Sequence, residues 1–239
     1  MAPRKAEPAR AGIDTIYRTK SDIARQHIQQ LIRSGDARPG DHITTREISQ
    51  ALGMSETPVR EAIRSLAAEG WLDFNPHLGG AVSSVKSDQL TEIYALRGTL
   101  GATAIELGAP LYTEARLAEL DRNIARCETA VANADATRYA RLNYDFHTLL
   151  SDTPSTQWTL KLLNSLWAQT AAMGRGFELI PDRIRRSLDE HHAIMKAIRG
   201  GDHARAASLL VTHERSAGAE LIAVLRQDAP PAAKGQSAL

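Results

Sequence analysis

The chain has 239 residues, enough for one large domain or two ordinary ones. Hydrophobic residues make up 43% and charged residues 24%, the balance of a globular, soluble chain, and no apolar run is long enough to cross a bilayer. The formal charge is only +1, so bulk basicity does not mark a nucleic-acid binder; any positive surface must be local, and doubling by dimerisation would strengthen it. The N-terminus lacks a hydrophobic signal core, which argues against export, and the single Cys127 excludes an internal disulfide. Both suit a cytoplasmic location.

Residues 1–13, rich in Ala, Pro and Arg, show no apolar period and read as a flexible arm. A first helix is expected over 16–32, with Ile23, Ile28, Leu31 and Ile32 on its apolar side, followed by a turn at Arg38-Pro39-Gly40-Asp41. Thr44 and Glu47 form a capping box for a short helix carrying Ile48, Ala51 and Leu52, and Gly53-Met54 breaks it. Ser55 is placed to cap the next helix, and Pro58 is tolerated in its first turn. Val59, Ala62, Ile63 and Leu66 form its buried face, and Thr57, Arg60 and Arg64 fall on the opposite ridge. Two short helices with a tight turn, the second presenting hydroxyl and basic groups, fit a DNA major groove. After Gly70, residues 71–74 and 81–85 read as strands around a Pro/Gly turn at 75–80, which makes a hairpin wing.

Residues 86–88 read as a hinge, so the first module spans 14–85. Beyond the hinge the pattern is helical to about residue 226, and 227–239 reads as a tail. Successive helices carry Leu90 to Leu107, then Leu117 to Val131 capped by Thr113. A third, starting at Asp135, carries Tyr139 to Leu150. A fourth from about Ser155 carries Trp158, Leu162 and Trp167, and weakens at Gly174 and Gly176. A fifth follows Pro181, and the last is capped by Asp202. Tyr94, Trp158 and Trp167 read as core, and Cys127, sharing a face with Ile124 and Val131, as a buried thiol. The fold class is therefore mainly α: a winged helix-turn-helix followed by an all-α bundle of six or seven helices.

Asn143 and His147 lie four apart on an inward face, and His191 and His213 sit near the apolar sides of two further helices. Three histidines on three helices can converge on a divalent ion such as zinc or nickel. The plainer alternative is hydrogen-bonded core histidines. Asp145 points roughly 160–200° away around its helix and reads as surface.

The stretch ITTREISQALGMSETPVREAIRSLAAEGWLDFNPHLGGAV resembles the winged helix-turn-helix of the GntR transcription regulators, most specifically through TPVREAIRSLAAEGWL. NYDFH, EHHAI and VTHE resemble motifs of the helical effector domain, the FCD domain, of FadR-type members, so the resemblance spans about 21–226. It implies a metal held by Asn143, His147, His191 and His213; the EHxAI register assigns the ligand role to His191 rather than His192. It implies DNA contacts from Arg46, Ser55, Thr57, Arg60 and Arg64, with His77 and Gly79 at the wing tip. Arg97 becomes a clamp for an effector carboxylate, against the plainer reading of a surface salt bridge. Two residues depart from the family. Asn143 stands where Asp is commoner, which leaves the ion's charge uncompensated and favours an anionic ligand. Glu56 stands where many relatives have Arg, so operator preference is not transferable.

The function implied is a ligand-responsive transcription regulator, most often a repressor, that binds a pseudo-palindromic double-stranded DNA operator as a homodimer and senses a small organic acid against a metal. A metal-dependent hydrolase is the rival class, opposed by the lack of an HExxH or a Gly-rich phosphate loop. The third possibility is a constitutive DNA-binding dimer.

Overall fold

A computed structural model describes residues 18–75, 79–85, 87–171, 180 and 182–228. His77 at the wing tip, Lys86 of the expected hinge, and Ile16, Gly174, Gly176 and Pro181 lie outside the described residues.

The N-terminal part is three helices and a small sheet. Helix α1 (Lys20–Ser34) opens on a capping box between Thr19 and Asp22 and ends at Gly35 in the left-handed region. Ala24, Ile28 and Ile32 face inward, whereas Ile23, expected on that face, is 42% exposed. Helix α2 (Thr45–Leu52) opens on the expected Thr44–Glu47 box and ends at Gly53 with φ 61°. Helix α3 (Glu56–Ala68) buries Val59, Ala62, Ile63 and Leu66. Ser55 holds its N-cap position but makes no side-chain cap bond, contrary to expectation. Its exposed hydroxyl remains available to a partner.

The wing is three-stranded rather than a simple hairpin. β1 (His42–Ile43), β2 (Leu72–Asn75) and β3 (Gly79–Val82) pair antiparallel in the order β1-β3-β2, with Ile43 opposite Gly80 and Leu72 opposite Val82. The sheet explains why Gly79-Gly80 lies in a strand and not in the expected turn. At Gly79 (φ 95°) a Cβ would stand 2.5 Å from the Ile43 carbonyl oxygen, so only glycine lets β1 close on β3.

Among the described residues the C-terminal part holds six α-helices: α4 (Ser87–Gly108), α5 (Glu114–Ala132), α6 (Ala136–Ser151), α7 (Gln157–Ala171), α8 (Arg183–Arg199) and α9 (His203–Asp228), with a 3-10 turn at Ala109–Leu111. Thr113, Asp135 and Asp202 accept from the backbone three residues on, as their sequence positions imply. Helix α9 runs to Asp228, two residues into the segment read as tail. The core is formed by Leu120, Ile124 and Cys127 of α5, Tyr139, Leu142, Phe146 and Leu150 of α6, Ile194 and Ile198 of α8 and Leu210 of α9. Burial pushes the Cys127 thiol up to about 12.

Trp158 is a correction. Expected in the core, it is 77% exposed, and Leu96, Leu107 and Leu162 are also exposed. Trp167 is buried as expected.

The two parts touch through α7. Ala168 joins the hydrophobic core of the winged module, and Gln169 Nε2 donates to the Gly70 carbonyl at 3.1 Å.

Candidate functional site

Among the described residues, the side chains expected to meet DNA are exposed on and around α2 and α3. Arg46 is exposed in the first turn of α2, and Ser55, Thr57, Arg60 and Arg64 are exposed on or before α3. Arg60 reaches Glu56 at 3.5 Å one turn back, with both side chains more than half exposed. Such a pair is worth little and releases Arg60 readily. The Arg64 guanidinium stands 6.0 Å from the ring of exposed Phe74 on β2, so the helix ridge and wing form one surface.

The second constellation is internal. His147 on α6, His191 on α8 and His213 on α9 are at most 3% exposed, and their ligand atoms all lie within 4.8 Å of one another. His147 Nε2 and His213 Nε2 are 3.2 Å apart, a spacing that two nitrogens each about 2.0–2.1 Å from one ion can adopt. Phe146 stacks on the His191 ring at 4.1 Å and holds its plane. His192, by contrast, is half exposed and reaches Glu128 at 3.2 Å, so it is His191 that faces the other two histidines.

The polar atoms of this cluster are incompletely partnered. Both ring nitrogens of His191 and Oδ1 of Asn143 are buried without a hydrogen bond among the described residues. Leaving such groups unpaired costs on the order of 1–3 kcal/mol each, so a buried set of this kind points to a missing partner. Burial, with the neighbouring histidines and arginines adding to it, pushes His147 and His191 well below the ordinary imidazole range. Neutral imidazole is the form that ligates metal. His213 Nδ1 lies 2.5 Å from Glu190 Oε2, which leaves its Nε2 lone pair for the centre. Burial works against the Glu190 charge, but His213 and Arg183 outweigh it and hold the carboxyl at about 2.

Two arginine–glutamate pairs surround the cluster. Arg97 is 8% exposed, and its Nη2 meets Glu214 Oε2 at 2.9 Å while Nη1 donates to Thr170 at 3.1 Å. Its guanidinium lies 4.4 Å from the Tyr94 ring. The plainer reading of Arg97 as a surface salt bridge is therefore wrong, because this pair is internal. Arg183 on α8 is 1% exposed and forks onto Glu190 at 3.2 and 3.0 Å. Asp145 also departs from expectation: it is half-buried, and burial raises its pKa although Arg141, Arg33 and Arg126 oppose the shift.

His147, His213, Asn143, Arg97 and Arg183 open onto a cavity of about 920 Å³ that is lined also by α1 of the N-terminal part. Tyr144, next to Asn143, packs edge-on against Trp167 at 5.3 Å and donates from its hydroxyl to Asn164 at 3.0 Å. The other face of Tyr144 lies 4.2 Å from the Arg33 guanidinium, which also stands 5.1 Å from the Trp71 ring. Arg183, Glu190, Glu214, Tyr144 and Arg33 were not singled out by the sequence reading. Charged residues on amphipathic helices read as solvated, and only the Glu190-His191 adjacency carried a signal.

Comparison with known proteins agrees with this layout. Residues 20–82 match the bacterial regulatory proteins of the gntR family, and residues 92–216 match the FCD domain. The chain is 32% identical over 126 residues to the HTH-type transcriptional regulator YdhC of Bacillus subtilis (strain 168), a match spanning 52% of this chain and 56% of YdhC. It is 27% identical over 180 residues to the HTH-type transcriptional regulator McbR of Escherichia coli (strain K12), covering 73% of this chain and 80% of McbR. To the HTH-type transcriptional repressor RspR of the same strain it is 26% identical over 168 residues, or 69% and 73% of the two chains. The solved structure of E. coli McbR/YncC superposes with a TM-score of 0.78 at 23% identity, over 88% of this chain and 99% of that one, and so shares the fold. No helix among the described residues is long and apolar enough to cross a membrane. With a winged helix-turn-helix and an FCD domain joined in one chain, this protein belongs to the GntR family of bacterial regulatory proteins and is a DNA-binding transcription regulator, not an enzyme.

Proposed function

We propose that this regulator is a cytoplasmic, metal-dependent sensor of a small organic acid, and that it represses transcription as a homodimer. The observation that carries the reading is the buried His191, neither of whose ring nitrogens has a partner among the described residues, beside the likewise unpartnered Asn143 Oδ1 and within reach of His147 and His213. This donor set of three imidazoles and one amide oxygen fits zinc, nickel or a similar divalent ion. A bound ion would supply an electrophilic point charge for a carboxylate. Arg97, held over Tyr94 and against Glu214, is the carboxylate clamp in this reading.

Residues 14–85 act as the DNA-binding module and 89–228 as the sensing and dimerising module, with the junction at 86–88, where Ser87 and Asp88 open α4, as the hinge. Arg46, Ser55, Thr57, Arg60 and Arg64 contact the operator, joined by the wing at Gly79 and His77. The exposed apolar residues Leu96 and Leu107 on α4, with Trp158 and Leu162 on α7, support a twofold dimer that matches a pseudo-palindromic operator. Regulation follows by population shift. An acid that binds one arrangement of the domains better than the other changes operator affinity by that difference and no more.

The test is elemental analysis of protein purified without chelator, together with operator titrations. Wild type is expected to hold one ion per protomer, and His191→Ala to lose it by at least about tenfold in affinity while still binding the operator. Wild-type protein that is free of metal and takes up none would end the sensor reading and leave a constitutive DNA-binding dimer.

A further inference from the structure

The cavity is lined by both domains. His147, His213 and Arg183 line it from the helical domain, and Gln26, Gln29 and Arg33 line it from α1. The deep arginines are already matched, Arg97 with Glu214 and Arg183 with Glu190. Arg33 is not. It is half-buried, and among the described residues no carboxylate forms an ion pair with it. Its neighbours are the rings of Trp71 and Tyr144 at 5.1 and 4.2 Å. Aromatic rings satisfy the faces of a guanidinium, whereas its N–H donors point outward in its plane, and a carboxylate fits that edge. Burial lowers the Arg33 pKa; the Tyr144 hydroxyl, which takes one of its hydrogen bonds, and the Asp145 charge offset this only in part, which leaves the other N–H donors for a carboxylate. At about 920 Å³ the cavity also lies near the upper end for small-molecule sites, far beyond the needs of a two- or three-carbon acid.

We propose that the effector is an acid with two carboxylates, one received at the histidines and the other by Arg33 of the DNA-binding domain. The first half rests on the sensor reading above; the second is independent of it in geometry. A two-headed acid bridges the domains and stabilises their docked arrangement, because part of its affinity exists only while α1 faces the histidines. An acid with one carboxylate occupies the floor and leaves the domains untied.

The experiment titrates nickel-loaded full-length protein with acetate, succinate, adipate and suberate by calorimetry. At least one diacid is expected to bind about tenfold or more tighter than acetate, a gain of the size that one bidentate charged contact supplies. Arg33→Gln removes this gain while acetate affinity stays within about twofold, and Arg33→Lys keeps part of it. Gln29→Glu, which sets a carboxylate one helical turn before Arg33 where it can pair with the guanidinium, also removes the gain. The proposal is overturned if no diacid outbinds acetate, if Arg33→Gln leaves the diacids unchanged, or if it weakens acetate equally, which would make Arg33 a structural strut. A diacid gain that needs Arg33 but survives His191→Ala would instead sink the metal floor and keep Arg33 as an anion site.

Discussion

In the proposed metal centre, Asn143 would set how much charge a bound ion presents. The imidazoles must be neutral to ligate, and Arg97 with Glu214 and Arg183 with Glu190 cancel in pairs. An ion held there would keep its full dipositive charge, and an incoming carboxylate would meet all of it. Asn143→Asp removes one unit at nearly unchanged volume. Two unit charges about 4 Å apart interact by about 4 kcal/mol at an effective dielectric near 20, so even a heavily discounted effect is measurable. The variant is expected to hold zinc or nickel more tightly in chelator competition and to bind acetate at least about tenfold more weakly in calorimetry. Both affinities moving in the same direction would show that position 143 does not face the ion.

At the scale of elements, the seam between α4 and α9 positions Arg97, the proposed clamp. It closes over small residues: a Cβ on Gly101 would meet Leu210 at 2.6 Å, and one on Gly218 would meet the Tyr94 ring at 2.6 Å. Tyr94 in turn lies 4.4 Å from the Arg97 guanidinium. Gly218→Val should therefore act twice. Overpacking is expected to cost about 1–3 kcal/mol, seen as a lower melting temperature. Displacement of Tyr94 should also weaken the carboxylate response more than it weakens metal binding. A melt that falls while the acetate isotherm is unchanged would separate the seam from the site. Much of this architecture was legible from residue order. The capping box at Thr44 and the N-caps at Thr113 and Asp135 announce helix starts through local hydrogen bonds, and the inward stripe of α6 repeats at helical spacing up to His147. Long-range features were not legible. β1 is two residues long and has no period of its own; it exists because Gly79 and Gly80 let it pair. The Arg33 stack joins α1 to α6 across the domain boundary, and nothing near position 33 signals Tyr144. Trp158 was placed inward because an apolar period shows that a face is covered, not whether core or another subunit covers it.

At the scale of the molecule, that same face decides whether one chain is a complete regulator. Leu96 and Leu107 are eleven residues apart on α4 and project on one side. Ser155 just before α7 donates to the Leu107 carbonyl at 3.1 Å, which brings Trp158 and Leu162 into the same neighbourhood. Four large apolar side chains left 42–77% exposed on adjoining helices are costly in water and inexpensive against a twofold copy of themselves. A twofold axis through this face would place two recognition helices on one duplex, and the second would bind at high effective concentration. Trp158→Glu combined with Leu162→Glu buries two like charges against their symmetry mates. The double variant is expected to run as a monomer in light scattering and to lose operator affinity by at least about a hundredfold, the scale of lost bivalency. Its metal content should stay at the wild-type level, because the histidines belong to one protomer and lie inside it. A variant that remains dimeric would move the interface elsewhere on the helical domain. One that turns monomeric yet binds the full operator as tightly as wild type would mean that a single winged module suffices, and the twofold account of recognition would have to be given up.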